Sequence, residues 1–549
     1  MITAEKLIRY GYFPHWIIPP FKSESLADVL PILSNEKMKS NFLRRENKKE
    51  VGKFRPFSKC CVHSVPKIKN FRRSIHIPNP LYQIILSDTI ETNWAEIEKI
   101  LKKSKLSLSF RNLKYKKSKK LPPVFDRHEM AIQNALRSTD SRFVVNTDIS
   151  RFYPTIYTHT IPWAVHTKAV AKINHSSSLF GNDLDICVRS CQDQQTLGIP
   201  TGPYTSHIIA NIIASEIDDK LYQELKKKKI RFKGYRYVDD YKLFFKTHAD
   251  SEFAVSKLNL LFRFYELEIN SSKTKITELP EILESGWVSD LKNFKFKQIS
   301  KSDKKTPIAN NYEILSLFSK AFEYVETYPN QNVLKYALKM MKNVEVKYKD
   351  WGVLESLILK SVIAEPTCLP WAIKLFFDIK TNAGKKKFRL NIPKIRDTIY
   401  EMVRFHSQYD HGYEIAWSLW LAKALEIKLP KKISKLLSEN DDSIVALVSL
   451  DLEKSGLLSS PLDYKKWIPL MTQDELYTEN WLFAYEVVKK KWIPLGTKPN
   501  YVDKDPFFSI LKNNDVDFYD EAVGMIDRIR DIDFGDFEIE GYEFAFLDF

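Results

Sequence analysis

The chain has 549 residues, 44% of them apolar and 28% charged, which is enough for two or more globular domains and excludes a disordered or fibrous chain. Its 85 Lys and Arg outweigh 69 Asp and Glu, giving a formal net charge of +16 that suits a polyanionic partner and equally suits plain solubility. Five cysteines make no disulfide framework, no apolar run reaches the roughly 18 residues of a membrane span, and Met1–Leu7 holds no apolar signal core, so a soluble protein of a reducing cytosol is expected.

From Met1 to about Arg73 the chain mixes aromatic, proline and basic segments, with a capped helix start at Ser23–Leu30. Pro78-Asn79-Pro80 opens an expected helix from Leu81 to Ile100. Lys99–Lys120 is densely basic with Leu, Phe and Tyr between the charges, which fits a solvated loop or a track for a phosphate backbone. A strand is expected at Val144–Asp148, then helices near Ala164–Ala171 and Asp185–Asp193. The turn Gly198-Ile199-Pro200-Thr201-Gly202 precedes a strong helix, Ser206–Lys227. Strands Phe232–Tyr237 and Tyr241–Lys246 flank Val238-Asp239-Asp240, helix Glu252–Leu267 follows, and a return strand begins at Glu268. This β-α-β-β-α-β order is a split βαβ arrangement, as in a polymerase palm. Beyond Ser300 helical patterns dominate, from Asn311–Val325 through Gly412–Leu425 to Glu475–Lys489, with an acidic, aromatic end at Asp527–Phe549 that reads as a solvated tail or a docking segment.

Two adjacent aspartates at a hairpin turn have no packing purpose. Hard carboxylate oxygens beside a phosphate are what Mg²⁺ needs. Asp148, leaving a strand about ninety residues before Asp239 and Asp240, completes a three-carboxylate metal site, to which the Ile149 carbonyl adds an oxygen. Asp148, Asp239 and Asp240 are therefore the candidate catalytic residues, with Mg²⁺ as cofactor and Mn²⁺ as its substitute. Tyr153 is placed under the sugar of an incoming nucleotide, where its ring would exclude a 2′-hydroxyl; the alternative is a core aromatic. Thr201 and Gly202 lie in a turn that lets backbone approach a nucleotide. Ser206 and Asn211 point inward or decorate their helix. Lys273, with Lys275 as its competitor, and the pair Arg72 and Arg73 are candidate triphosphate contacts. Cys60, Cys61, His63, Cys187 and Cys191 fit no closed zinc pattern and read as small buried residues.

At these motifs the chain resembles the reverse transcriptases. Asp148 with Phe152-Tyr153 resembles their first catalytic motif, Gly198–Gly202 the second, Tyr237-Val238-Asp239-Asp240 the metal-binding hairpin, and Asn270–Thr274 the region after it. The resemblance is closer to the bacterial abortive-infection (Abi) reverse transcriptases, the group containing AbiK. It is carried by Leu7–Tyr12, Tyr157–Trp163 and Gln192-Asp193, spans roughly Met1 to Glu278, and continues weakly at Glu479–Phe483. It implies an α+β fold: reverse-transcriptase-like fingers and palm over 1–300, then an all-helical, HEAT-like repeat domain over 301–549 without a conventional thumb. It also implies a bacterial, cytoplasmic antiphage DNA polymerase that uses deoxynucleoside triphosphates without a template. The group primes from a tyrosine of the protein, leaves single-stranded DNA covalently attached, and assembles as a homo-oligomer, trimer or hexamer, without a membrane. Tyr10 and Tyr12 read as packing residues rather than the primer. Many templated enzymes carry Gln where Thr201 stands. The competing functions are a conventional RNA- or DNA-templated reverse transcriptase and a non-enzymatic nucleic-acid-binding scaffold.

Overall fold

The structure, a computed structural model, describes residues 2–33, 57–68, 71–109, 121, 127–283, 285–299, 306–329, 331–382, 389–496 and 499–521. Half of the basic stretch, residues 110–120, and the whole acidic tail, 527–549, therefore lie outside the described residues.

Helices Ala4–Gly11 and Glu24–Leu33 lead into an antiparallel hairpin, Cys61–Ile68 (β1) with Phe71–Ile77 (β2). The single helix expected from Leu81 to Ile100 is two helices, Pro80–Thr92 and Trp94–Lys103. The break falls at Asn93, whose side-chain amide donates to the Thr89 carbonyl at 2.9 Å and so competes with the backbone ladder.

Phe143–Asp148 (β3), Lys233–Tyr237 (β4), Asp240–Phe245 (β5) and Lys275–Glu278 (β6) form a four-stranded antiparallel sheet in the order β4-β5-β3-β6. The two crossover helices, Tyr204–Lys227 and His248–Phe264, pack on each other, and the second lies on β3 and β5. Val145, Leu243 and Phe245 join the main core, while Val144, Tyr235 and Phe244 form a second small core with Leu108. Apolar residues on successive positions of β3 thus reflect a strand covered on both faces. The return strand expected at Glu268 is β6, which starts only at Lys275. Residues 268–270 still pair with β3's end, through an Ile149–Ile269 bridge and Asn270 N–H donating to the Asp148 carbonyl at 2.9 Å.

Beyond Gly286 the chain is a stack of helices, interrupted by a small sheet of Gln298–Ile299 (β7), Pro307–Ala309 (β8) and Glu345–Val346 (β9). That sheet corrects the all-helical expectation; strands of two or three residues are too short to leave a periodic signal. Helix Ile392–His406 packs on Gly412–Leu425, that helix on Ser443–Lys454, and the latter on Trp481–Lys489.

The helical stack is bonded directly to the β1–β2 hairpin. Trp481 Nε1 donates to the Ile77 carbonyl at 3.1 Å, Trp417 Nε1 to the Trp16 carbonyl at 3.0 Å, and Asn79 Nδ2 to the Leu476 carbonyl at 2.7 Å. His63 Nδ1 and Asp442 Oδ2 lie 2.6 Å apart. One continuous apolar core runs from Ile2 to Tyr519 through both parts.

Candidate active site

Asp148 is the last residue of β3, and Val238-Asp239 is the two-residue turn between β4 and β5, closed by the Tyr237–Asp240 pair. Register places Asp240 directly opposite Asp148. The Ile149 N–H donates to the Asp239 carbonyl at 3.3 Å, locking the turn to the strand end. Three carboxylates are thereby gathered from two strand ends and one turn. Asp148 is 4% exposed and Asp239 2%.

Asp148 Oδ1 and Asp239 Oδ1 are both buried without a hydrogen-bond partner. Such oxygens are costly to keep unless something cationic meets them. Burial first, then the charges of Asp240 and Asp148, push the Asp239 carboxyl well above its usual range, with Lys273 opposing the shift. Lys273 Nζ lies 2.9 Å from Asp148 Oδ2, a cation already in the position such oxygens favour. Asn270 Nδ2 approaches the same oxygen at 3.4 Å. The donor set, all hard oxygens with two unmet, fits Mg²⁺ or Mn²⁺.

The turn is strained and held from behind. Val238, a β-branched residue, has φ of +49°. Its carbonyl accepts from Arg236 Nη1 at 2.6 Å, and the same guanidinium meets Asn211 Oδ1 at 3.1 Å and Asp218 Oδ2 at 2.8 Å. Arg236 and Asp218 are both 0% exposed. Asn211 Nδ2 donates to the His207 carbonyl at 2.9 Å, and His207 Nδ1 lies 3.3 Å from the Tyr153 hydroxyl. A buried chain Asp218–Arg236–Asn211–His207–Tyr153 thus ties the aspartate turn to the residue read as a sugar gate. Burial, reinforced by Arg236, lowers the His207 pKa to about 3, so the imidazole is neutral.

Sequence reasoning left Asn211 open and missed Arg236, Asp218 and His207. The available signal was an arginine flanked by tyrosines inside a strand that ends in the aspartate turn.

Arg72, Arg73, Tyr153, Thr201 and Gly202 all line one cavity of about 580 Å³, together with Lys67, Arg151 and the aromatics Phe13, Trp16 and Tyr204. Val238 lines it too, but Asp148, Asp239, Asp240 and Lys273 are not among its lining residues; Lys273 sits on Asp148. Arg72 lines the cavity, yet its guanidinium forks onto Glu414 of the helical stack, with Nη2 at 2.8 Å from Oε2 and a second, shorter bond to Oε1. Loop 198–202 is fastened to β2: His76 N–H donates to the Thr201 carbonyl at 2.8 Å, and Thr201 N–H to His76 Nδ1 at 3.2 Å. Gly202 has φ of +131°, and a Cβ there would lie 2.5 Å from Pro14 Cγ, so the turn requires glycine.

The five cysteines are buried and form no disulfide, and Cys60 Sγ donates to the Cys191 carbonyl at 3.1 Å. No helix among the described residues is long and apolar enough to cross a membrane.

Residues 47–296 match the family described as reverse transcriptase (RNA-dependent DNA polymerase), so the chain carries a reverse-transcriptase-like domain of the nucleotidyltransferase class. No curated protein matches the sequence. Similar solved structures include telomerase from Candida tropicalis in complex with a TWJ fragment of telomeric RNA (12% identity, 77% of this chain and 68% of that chain, TM-score 0.30). The corresponding telomerase from Candida albicans is 14% identical over 78% of this chain and 71% of that one, with a TM-score of 0.30. Apo telomerase from Candida tropicalis is 11% identical over 82% and 75%, with a TM-score of 0.34. These scores are too low for the likeness to bear on the reading of this chain.

Proposed function

We propose that this chain is a DNA polymerase in which Asp148, Asp239 and Asp240, with the Ile149 carbonyl, hold divalent cations while a deoxynucleotidyl unit passes from a triphosphate to a hydroxyl. The observation that carries this reading is the pair of partnerless buried oxygens, Asp148 Oδ1 and Asp239 Oδ1, at adjoining strand ends. Bound Mg²⁺ or Mn²⁺ supplies activation of the attacking hydroxyl and neutralisation of phosphate charge.

The chain's own residues supply position. The Arg236 network fixes the turn, Arg151 and Arg73 face the cavity where a triphosphate would lie, and the Tyr153 ring limits room beside the sugar. Lys273, held on Asp148 without a cation, is placed to swing toward phosphate oxygens once that carboxylate is occupied.

Copying of an RNA or DNA template is the reading that the family match supports. Untemplated, protein-primed synthesis by a trimeric or hexameric antiphage enzyme is the second reading. It rests on the sequence resemblance and is favoured by one feature. The cleft of about 550 Å³ that also reaches Thr201 is lined by Asp193, Asp441 and Glu479 against, among the described residues, the single cation Lys59, which pairs with Glu479 at 3.2 Å, a net acidic lining that disfavours a second polyanionic strand there.

Labelled deoxynucleotides, Mg²⁺ and purified protein, with and without primer–template, separate the two on a denaturing gel run before and after protease. Extension only with primer–template supports copying. Label released from protein by protease supports the second reading. Incorporation that persists in Asp239→Asn would overturn the metal site itself.

A further inference from the structure

Helix Ile392–His406 turns into helix Gly412–Leu425 through a corner that brings two imidazoles and a carboxylate together. His406, His411 and Glu414 each offer one ligand atom, and the three atoms lie within 4.8 Å of one another. His406 Nδ1 and His411 Nδ1 are 2.9 Å apart, a ring-to-ring hydrogen bond that already brings two inner nitrogens side by side. His406 and Glu414 are buried and His411 is half-buried.

The corner is built rather than incidental. His411 N–H donates to the His406 carbonyl at 3.2 Å. Between His411 and the helix, a Cβ on Gly412 would lie 2.2 Å from Asp442 Oδ2 and 2.8 Å from His63 Nδ1, so the chain here is pressed against β1 and cannot spread. Phe405 packs its ring 5.1 Å from His406, and Tyr409 lies 5.6 Å from His411, giving the cluster an apolar rim.

We propose that His406, His411 and Glu414 form a second metal site, separate from the aspartates, that takes one transition-metal ion of the zinc class. Two imidazole nitrogens and one carboxylate with an open fourth position suit Zn²⁺ and its neighbours, whereas Mg²⁺ favours oxygen-only sets. Arg72 does not block it. A carboxylate has about four lone-pair sites, and a forked guanidinium uses two of them. Arg72 then acts as the outer partner that orients the ligating carboxylate. In the metal-free protein one imidazole N–H bonds the other ring's nitrogen; on binding, that proton moves to the outer ring nitrogen and both inner nitrogens face the ion.

Because Arg72 lines the nucleotide cavity and Glu414 belongs to the helical stack, the ion would stiffen the joint between them. The inference does not rest on the polymerase reading.

Tag-free protein is stripped with a chelator, kept in excess Mg²⁺ to fill oxygen sites, and titrated with Zn²⁺ against a chromogenic competitor. Co²⁺ is titrated separately for its visible absorption. The expected result is one tight equivalent, a Co²⁺ spectrum of a four-coordinate site, and loss of that equivalent in His411→Ala and His406→Ala. Asp239→Asn retains it. His411→Gln, at the half-buried position, repeats the test in a variant whose fold is checked by circular dichroism. Absence of tight Zn²⁺ in the parent, an equivalent retained in a folded His411 variant, or one lost in Asp239→Asn would each overturn the proposal.

Discussion

Asp239→Asn separates the stability of the aspartate site from its function, because it keeps the size of the side chain and removes its charge. Without a cation, burial and the neighbouring Asp240 and Asp148 charges raise the Asp239 carboxyl well above its ordinary value of 3.8. Between that value and the raised one, the folded state binds a proton that the unfolded state has lost. Stability therefore falls as pH rises through the window, by up to about 1.4 kcal/mol per pH unit. The amide needs no proton to be buried, so the substitution recovers roughly 1–3 kcal/mol of that linkage cost. In a cooperative unit of roughly 150–250 residues, each 1 kcal/mol moves Tm by about 2–4 °C. In chelator at neutral pH, Asp239→Asn should thus melt a few degrees above the parent, by a margin that grows from pH 5 to pH 8. With Mg²⁺ at roughly a hundred times its dissociation constant the parent gains about 2.7 kcal/mol and the variant little, so the order closes or inverts. Thermal melts of both proteins, with chelator and with Mg²⁺ across that pH range, read the effect. An Asp239→Asn protein that melts below the parent in chelator, or that gains as much from Mg²⁺, refutes the reasoning.

Other substitutions test the supports of the site. Arg236→Met leaves Asp218 fully buried with the Ser104 hydroxyl but no cation, and denaturant melts should show a loss of roughly 3–5 kcal/mol; Arg236→Lys, lacking the fork, should rescue little of it. Gly202→Ala meets Pro14 and an unfavourable φ, so we expect about 1–3 kcal/mol of destabilisation and a raised KM for deoxynucleotides, measured by equilibrium unfolding and by initial rates. Tyr153→Ala should raise ribonucleotide incorporation about tenfold or more in single-nucleotide extension assays. Tyr153→Phe, which keeps the ring and gives up the hydroxyl with its contact to His207, should keep the discrimination.

The gathering of Asp148, Asp239 and Asp240 was legible because its signals are local. Asp148 follows four residues of strand, and Asp239 sits between two apolar runs at a spacing only a tight hairpin accommodates. The β-α-β-β-α-β order then follows from strand and helix periods alone. What escaped notice depends on partners far apart in sequence. Arg236 needs Asp218, eighteen positions earlier on a different element. Arg72 reads as a phosphate contact until Glu414, 342 residues later, is seen to meet it. The division at residue 300 marks a change of texture rather than a break in packing, since residues on both sides share one apolar core. Asn93 ends a helix that its neighbours would have continued, because a side-chain amide outcompetes a weak local preference.

The bridge between Phe21 and Tyr519, with Lys22 N–H donating to the Phe518 carbonyl and Asp520 N–H to the Pro20 carbonyl at 2.9 Å each, closes a loop of nearly the whole chain. Bringing together positions some 500 residues apart costs on the order of 5–6 kcal/mol of loop entropy if done in one step. Condensation of the intervening elements lowers that cost, so this seam is expected to close after them. Until residues 518 and 519 emerge from the ribosome, the rings of Tyr12, Phe13 and Phe21 have one another but lack Phe518 and Tyr519. Phe13 walls the cavity beside Tyr153 and Gly202. The aspartate turn, built from residues between 148 and 240, is thus present in a growing chain well before Phe518 can brace the Phe13 wall of that cavity.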